Sequence, residues 1–463
     1  AAIIPILVLT LLSGMEVSQF QPGRIHHSAP QIMLSIFMIA SFVEALDPSK
    51  ARRAATAGAL AAISLAIGLE TLPFVLLLAA LATILWIWRG DELQKTLGFF
   101  ALGFGIALPL VYVATIGPSR WFVTVCDAYS PVTFVPGMVG ALVLGSLAFA
   151  SRRLPTHASR IVAASIGGAL TLGAALAIKP VCYIDPYHGI DPLVREIWLS
   201  NVIEGFSLRR LIGHDAGAAL MMMGPIALGT LASVAALICA RHEARTRWLV
   251  VTFMSLAAAA LSVWMIRIMS FATLVASFGG AWAIIALRDK LAVTKWRSTA
   301  VLSFCLVLPF STVGWALVTP TKSDRRDWKE GTGCLTTAAF APLAKLPPGL
   351  IAGPVDAGSH LLAFTPHSVL AAPYHRDNDG NRTMMDAMLA SPDDAHTILT
   401  AHHVTYVVTC ASLTETNALA HRAPHGLAAA LNSNHIPPWL HPLQSDMPSL
   451  HNNGPYHVFV VQY

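Results

Sequence analysis

Carboxylate and guanidinium side chains are concentrated in one long stretch between two apolar segments, from residue 179 to residue 215. Carboxylates hold Mg²⁺ or Mn²⁺, and arginine matches a phosphate group with a two-pronged hydrogen-bond fork. Beside a bilayer, this combination suits a metal-assisted site for a phosphorylated lipid, and an ordinary solvated loop is the even alternative. The candidate side chains of this loop are those of Asp185, Asp191, Arg195, Glu196, Asn201, Glu204, Arg209 and Arg210.

Two further places carry polar side chains next to apolar segments. Arg24, His26 and His27 follow a Pro–Gly turn, and adjacent imidazoles could bind a metal or an anionic head group. A loop that only anchors the chain at the bilayer interface is the favoured alternative there. Arg267 stands alone between two apolar segments, where a charge is costly and is a functional hypothesis by default. Its alternative is an arginine that merely marks a turn.

Apolar helices must position these residues. Hydrophobic residues make up 55% of the 463 residues and charged residues 12%, against about 25% charged in a typical soluble domain. Most of the apolar segments have about the 20 residues that cross a bilayer. They predict a polytopic α-helical membrane protein whose spans, about eleven in number, lie near residues 1–14, 31–46, 54–70, 72–88, 96–116, 132–150, 161–178, 216–239, 248–264, 267–287 and 298–317.

The basic residues predict the orientation of these spans. Alternate loops are rich in Lys and Arg, and such loops stay in the cytoplasm. The loops near residues 15–30, 117–131 and 179–215 and the whole C-terminal tail are then extracytoplasmic (periplasmic). The net charge of +5 needs no nucleic-acid partner. The sequence begins inside an apolar run, with no positively charged residues ahead of it. We therefore expect that the true N-terminus is missing rather than that this run is a signal peptide.

The tail predicts a second, soluble domain. Segments 350–355, 368–372, 404–409 and 457–461 read as strands, and 382–389 and 393–402 read as helices, so residues 318–463 should form an extracytoplasmic α/β domain beside a membrane domain of residues 1–317. His367, His375 and Arg376 lie in polar stretches that could contact a sugar or an acceptor. A plain surface loop is the slightly favoured alternative.

Four of the six cysteines fall on the predicted outer side. An oxidising compartment permits disulfides. Cys334 with Cys410 is the first expected pair and Cys126 with Cys182 a weaker second. Free thiols are the alternative, because spacing alone does not fix connectivity.

The order of these motifs is similar to that of one family. The chain resembles the catalytic subunit of oligosaccharyltransferases and, more broadly, the GT-C membrane glycosyltransferases. Gly-Arg-Ile-His-His-Ser at 23–28 looks like the family's acidic metal-binding motif, and Gly-Leu-Glu-Thr-Leu-Pro at 68–73 looks like its Gly-rich turn. Asn-Val-Ile-Glu at 201–204 resembles its SVSE motif. Ile-Arg-Ile-Met at 266–269 resembles the segment whose arginine binds the donor pyrophosphate.

The resemblance implies a glycosyltransferase that uses a polyprenyl-phosphate- or pyrophosphate-linked sugar on the outer leaflet and an extracytoplasmic acceptor. It implies donor-phosphate binding by Arg267 and Arg24, and a divalent metal, Mn or Mg, held by Glu204, His26 and His27. Glu204 is also the best catalytic candidate. A catalytically inactive homologue and a transporter or flippase are the alternatives. Few charges inside spans and no internal repeat count against a transporter.

The sequence departs from the family pattern at three points. His26 stands where the family has a metal-binding Asp, which weakens the expected metal site. The first outer loop, which carries the family's catalytic Asp, is absent from this chain. The acceptor-recognising WWDYG motif has no counterpart in the tail. A peptide acceptor is therefore not implied by the motifs.

Overall fold

The computed structural model describes residues 3–21, 27–291, 305–319, 333–410, 413–443 and 455–463. The chain divides into two compact units. The first, called here the helical unit, comprises Ala1–His188 and Phe206–Thr321. The second, called the sheet unit, comprises Gly189–Gly205 and Lys322–Tyr463. The sheet unit therefore takes one segment from the middle of the chain and the rest from its C-terminal part.

The helical unit has the composition of an integral membrane protein. Within the described residues, seven helical segments are long and apolar enough to cross a bilayer, so the predicted count of about eleven spans is not confirmed. These segments are Leu69–Arg89, Asp91–Thr115, Pro131–Arg153, His157–Ile178, Ala216–Cys239, Ala244–Trp264 and Ile266–Lys290. Shorter helices of this unit are Ile3–Leu11, Gly14–Gln19, Ser28–Glu44, Arg53–Ile67, Val181–Ile184, Leu208–His214 and Thr312–Ala316.

Small residues bring the helices of this unit close together. The buried face of the helix Arg53–Ile67 consists largely of alanine. A Cβ atom on Gly279 would collide with the backbone of Gly229 and with Ser233, so the helices Ala216–Cys239 and Met269–Lys290 touch backbone to backbone. Such contacts are typical of helices that pack inside a membrane, where association depends on close van der Waals packing. The helix that follows Arg267 is consequently held in a fixed position.

Gly90 makes the tight turn between the helices Leu72–Arg89 and Asp91–Thr115. Its φ of +59° and ψ of −126° lie in a region that residues with a side chain rarely adopt. A Cβ atom here would collide with the guanidinium of Arg160, which lies over the ring of Trp86. The backbone conformation therefore favours glycine, and a side chain here would also displace the guanidinium of Arg160.

We expect Gly90→Ala to lower the thermal midpoint of the detergent-purified protein, because the strained backbone alone costs about 1–3 kcal/mol and Arg160 must also move. Gly117→Ala is the matched control, since that loop glycine has a φ of −62° and open space around its Cβ position. Equal midpoints for the two variants would contradict the role assigned to Gly90.

The sheet unit contains a mixed sheet. Within the described residues it has five strands in the spatial order β2-β1-β3-β5-β4. β1 pairs in parallel with β2 and β3, and β5 pairs in antiparallel fashion with β3 and β4. The strands are β1 (Leu350–Ala352), β2 (Ser368–Val369), β3 (Tyr406–Thr409), β4 (Leu440–Pro442) and β5 (His457–Val461). Strands form at the four predicted places, and β4 was not predicted.

Helices connect and cover the strands of this sheet. Val355–Phe364 lies between β1 and β2 along the chain, and Asn378–Leu389 and Pro392–Ala401 lie between β2 and β3, as parallel strand pairs require. The remaining helices are Pro192–Ile197, Thr337–Phe340, Thr414–Arg422 and Leu427–Asn432. The core beneath them includes Val194, Ile197 and Trp198 from the mid-chain segment. This segment is thus part of the core of the sheet unit.

Both predicted cysteine pairs are disulfides in the structure. Cys126 pairs with Cys182 in the helical unit, and Cys334 pairs with Cys410 in the sheet unit. The first bond ties together two loops that the charge pattern places on the outer side, and the second ties β3 to the chain ahead of β1.

Candidate functional site

Arg267 lies in a one-turn 3-10 helix, Ile266–Ile268, between two long helices of the helical unit. The preceding helix ends at Trp264, and the backbone N–H of Ile266 donates to the carbonyl of Phe206 at 2.9 Å. Ile266 and Ile268 are both buried. Because its two neighbours face the core, Arg267 is held between them and keeps 28% of its side chain exposed.

A second turn brings Glu70 to the same place. Gly68 is extended and ends the helix Arg53–Ile67, and the 3-10 turn Leu69–Thr71 leads into the helix Leu72–Arg89. The hydroxyls of Ser64 and Thr71 lie 2.8 Å apart and join the two sides of this turn. The side chain of Glu70 is 31% exposed.

Glu70 connects three elements that are distant in sequence. Its Oε1 lies 2.8 Å from Nε2 of His27 and 3.2 Å from Nη1 of Arg267. Gln31 donates from Nε2 to the carbonyl of Gly68 at 2.8 Å and to Oε2 of Glu70 at 3.3 Å. These residues, His27, Gln31, Glu70 and Arg267, are called here the Glu70 cluster.

Tyr187 lies within electrostatic range of the Glu70 cluster. Burial raises the pKa of the Tyr187 hydroxyl, the charge of Arg267 lowers that pKa, and the charges of Glu70 and Asp127 raise it. The backbone N–H of Tyr187 donates to Oδ1 of Asp185 at 3.1 Å. Tyr187 and Asp127 belong to two of the loops predicted to be extracytoplasmic, so the cluster lies on the predicted outer side of the helical unit.

The Glu70 cluster is suited to an anionic ligand. Glu70 contacts Arg267 through one terminal nitrogen, and a planar guanidinium is the side-chain group that matches a phosphate with a two-pronged hydrogen-bond fork. Each of three cluster residues lies one or two positions before a long helix: His27 before Ser28–Glu44, Glu70 before Leu72–Arg89 and Arg267 before Met269–Lys290. The positive end of a helix dipole favours negative charge. With side-chain exposures of 28–38% for His27, Glu70 and Arg267, the cluster is accessible from outside.

The donor set of the described residues does not fit a metal ion. No group of three His, Cys, Asp or Glu side chains among them could hold one. His27 and Glu70 are a potential ligand pair, but the oxygen of Glu70 that faces His27 also faces the cation of Arg267.

The residues predicted in the long loop fall into both units. Asp185 belongs to the helical unit, whereas Asp191, Asn201 and Glu204 belong to the sheet unit. Glu204 lies in the 3-10 turn Ile203–Gly205, and Asn201 donates to the carbonyl of Ile197 at 2.8 Å.

Asp191 has a structural partner within the sheet unit. Its two oxygens accept from Nη1 of Arg382 at 2.8 Å, and its Oδ1 caps the helix Pro192–Ile197 through the N–H of Leu193. Burial opposes ionisation of Asp191, but the hydrogen bonds from Arg382 and Leu193 outweigh it and lower the pKa of this carboxyl. Asp191 therefore anchors the mid-chain segment to the helix Asn378–Leu389.

The three candidates in the tail, His367, His375 and Arg376, belong to the sheet unit, whereas the Glu70 cluster belongs to the helical unit. His367 is buried, accepts from the N–H of Gly349 at 3.2 Å and lies 2.9 Å from the carbonyl of Leu343, which is the environment of a core histidine. His375 is half-buried and Arg376 is exposed. Arg24 and His26 lie outside the described residues.

Glu70 and Gln31 are the members of the cluster that sequence reasoning missed. The turn at 68–73 was recognised, but no role was given to its carboxylate. The signal was present, because Glu70 is a lone charge between two apolar segments, the criterion that singled out Arg267. Gln31 carried no comparable signal, since a polar residue near a helix start is common.

Solved structures of archaeal oligosaccharyltransferase share this architecture. The archaeal oligosaccharyltransferase AglB from Archaeoglobus fulgidus, in complex with an inhibitory peptide and a dolichol-phosphate, matches at a TM-score of 0.58 and 13% identity over 93% of this chain and 59% of that one. The Archaeoglobus fulgidus oligosaccharyltransferase tethered to an acceptor peptide with an NVT sequon matches at 0.57 and 13% over the same shares. Its complex with Zn and sulfate matches at 0.52 and 12%, over 92% of this chain and 57% of that one.

The match is one of structure. No protein-family model and no curated protein matches the sequence. The chain also spans less than two thirds of the length of the matched structures. At such low identity the likeness shows the fold alone. It confirms the resemblance inferred from the motifs, because the chain has the fold of the archaeal oligosaccharyltransferase.

Proposed function

We propose that this protein is an integral membrane glycosyltransferase. It takes a sugar from a polyprenyl-phosphate or pyrophosphate carrier in the outer leaflet and passes it to an extracytoplasmic acceptor. The observation that carries the proposal is the Glu70 cluster, in which Arg267 is held partly exposed at the predicted outer end of the helical unit. The fold, which is similar to that of an archaeal oligosaccharyltransferase solved in complex with a dolichol-phosphate, supports the same reaction class.

In this proposal Arg267 binds the phosphate of the donor. Displacement at the anomeric carbon leaves negative charge on the carrier phosphate, and a positioned guanidinium stabilises that charge as it develops. His27 lies beside the same carboxylate, so its ring would line the phosphate region next to Arg267. Arg24, three residues before His27, is a second candidate for this role.

Glu204 is the proposed catalytic and metal-site carboxylate. It corresponds to the Glu of the SVSE-like segment, and a carboxylate is suited to orient an acceptor or to hold a divalent ion. The described residues do not assemble a complete ligand set. The divalent ion, and the part of Glu204, His26 and His27 in holding it, stay predictions.

Transfer of labelled sugar tests the proposal. Membranes that contain the protein would be given a radiolabelled polyprenyl-linked donor pool, and labelled acceptor would be measured for the wild type, Glu204→Ala and Glu196→Ala. We expect product with the wild type, at least tenfold less with Glu204→Ala because a positioned acid or base contributes about 10²–10⁴-fold, and nearly full activity with Glu196→Ala. Glu196 is a matched control, since it lies in the same segment and its side chain makes an exposed ion pair with Arg422, a kind of contact that contributes little.

A non-catalytic binder of lipid-linked sugar is the second candidate. One observation favours it: His26 stands where the family motif has an acidic residue. It predicts that the wild type binds the donor through Arg267 without forming labelled product at any acceptor concentration. Product formation by the wild type would exclude it.

A further inference from the structure

Glu70 is not suited to bind the phosphate of the sugar donor, because its carboxylate carries a charge of the same sign. It is nevertheless the residue through which the other three members of the Glu70 cluster are connected. Its Oε1 contacts His27 and Arg267, and its Oε2 accepts from Gln31. These partners come from the start of the helix Ser28–Glu44 and from the turn before Met269–Lys290.

We infer that Glu70 is a positioning residue that orients the guanidinium of Arg267 for the donor phosphate. The inference rests on the proposed function, because it assumes that Arg267 binds that phosphate. It deepens the proposal by assigning a role to a carboxylate that takes no part in the chemistry.

The geometry supports orientation in two ways. Gln31 binds both the carbonyl of Gly68 and Oε2 of Glu70, so the turn and its carboxylate are fixed together. Glu70 in turn holds Nη1 of Arg267 at 3.2 Å, which fixes the position of the guanidinium relative to the turn. A long side chain that is ordered before the ligand arrives loses less conformational entropy on binding.

An opposing effect makes the inference testable. The negative charge of Glu70 repels a phosphate, so its removal would strengthen binding if charge alone mattered. Glu70 and Arg267 are each about 30% exposed, and solvent weakens such a repulsion. Loss of orientation is not screened by solvent. We therefore expect the orienting effect to dominate, and the sign of the change in affinity decides between the two.

The experiment measures binding of a tritium-labelled polyprenyl phosphate to the full chain in lipid nanodiscs. We expect Glu70→Ala to weaken binding about 10- to 100-fold, the usual worth of a hydrogen bond to a charged group. Glu70→Gln should weaken binding less than Glu70→Ala does, because its amide oxygen still accepts from Arg267 although its NH2 group then faces the Nε2 donor of Gln31. In an Arg267→Ala background, Glu70→Ala should cause no further loss, since coupled residues are not additive.

The control is Glu44→Ala. Glu44 lies at the other end of the helix Ser28–Glu44 and makes an exposed ion pair with Arg53 at 3.4 Å, so its removal should leave phosphate binding unchanged. Should Glu70→Ala fail to fold, Glu70→Asp carries the test. Aspartate keeps the charge but shortens the reach by one methylene, so weaker binding supports positioning, whereas unchanged binding contradicts it.

Three results would overturn the inference. Tighter binding by both Glu70→Ala and Glu70→Gln would identify Glu70 as a competing anion. An equal loss with and without Arg267 would identify a general structural role. No binding of polyprenyl phosphate by the wild type would overturn the inference together with the proposed donor. Binding that follows the expected pattern without sugar transfer would support the inference and overturn the proposed transferase alone.

Discussion

Replacing Arg267 with alanine should lower kcat/KM for sugar transfer by about 100- to 1000-fold, the usual loss when one preorganised donor to a developing charge is removed. Arg267 is suited to such an effect because its neighbours Ile266 and Ile268 are buried and Glu70 holds one of its terminal nitrogens. Little of this loss should come from stability, since a partly exposed ion pair contributes at most about 1 kcal/mol.

Arg267→Lys should give an intermediate loss, because lysine keeps the charge but cannot form the two-pronged hydrogen bond to a phosphate. Arg120→Ala is the matched control, an exposed arginine in a 3-10 turn of another predicted outer loop. Transfer rates at several donor concentrations separate kcat from KM. Retention of full activity by Arg267→Ala would remove the central residue of the proposed function.

The stability of the protein should fall as the pH rises from about 4.5 to about 8, owing to one buried acid in the sheet unit. Burial raises the pKa of Glu415 from 4.5 to about 8, and the charge of Asp356 adds to this. Its Oε2 accepts from the N–H of Val355 at 2.9 Å, which only partly compensates. In this pH window the unfolded chain releases a proton that the folded protein keeps, so the free energy of unfolding decreases with pH.

Each pKa unit corresponds to about 1.4 kcal/mol, so the full effect is on the order of several kcal/mol. Glu415→Gln keeps an acceptor for Val355 and removes the titration. We expect this variant to have a higher thermal midpoint than the wild type near pH 8 and a flatter midpoint between pH 5 and 8.5. Asp393→Asn, which changes an exposed acid of the same unit, should leave the slope as it is. A wild-type midpoint that rises with pH across this range would contradict the assignment.

Patterns along the sequence predicted the parts of the structure that depend on local physics. Apolar segments gave helices, short apolar runs gave four of the five described strands, and the charge pattern grouped the cysteines that pair. Arg267 was found in the same way, because a single charge between two apolar segments is conspicuous wherever the chain later places it.

The assembly of the site could not be predicted. The partners of Arg267 are nearly 200 residues away in sequence, since Glu70 and Arg267 are separated by 197 positions, and no local pattern encodes that distance. The long loop illustrates the same limit. Its polar residues look like one group in sequence, yet Asp185 belongs to the helical unit and Asp191 to the sheet unit, where a salt bridge to Arg382 accounts for it.

The division of the sheet unit along the chain has a consequence for the order of events during protein synthesis. The ribosome releases residues 189–205 before the last part of the helical unit and well before any strand of the sheet. Val194 and Trp198, which are almost fully covered in the finished protein, then have no partner surface, so their apolar side chains stay open to water or to chaperones until translation nears its end. Premature termination before β5 should therefore produce an aggregation-prone, protease-sensitive chain rather than a shortened but correctly folded membrane protein.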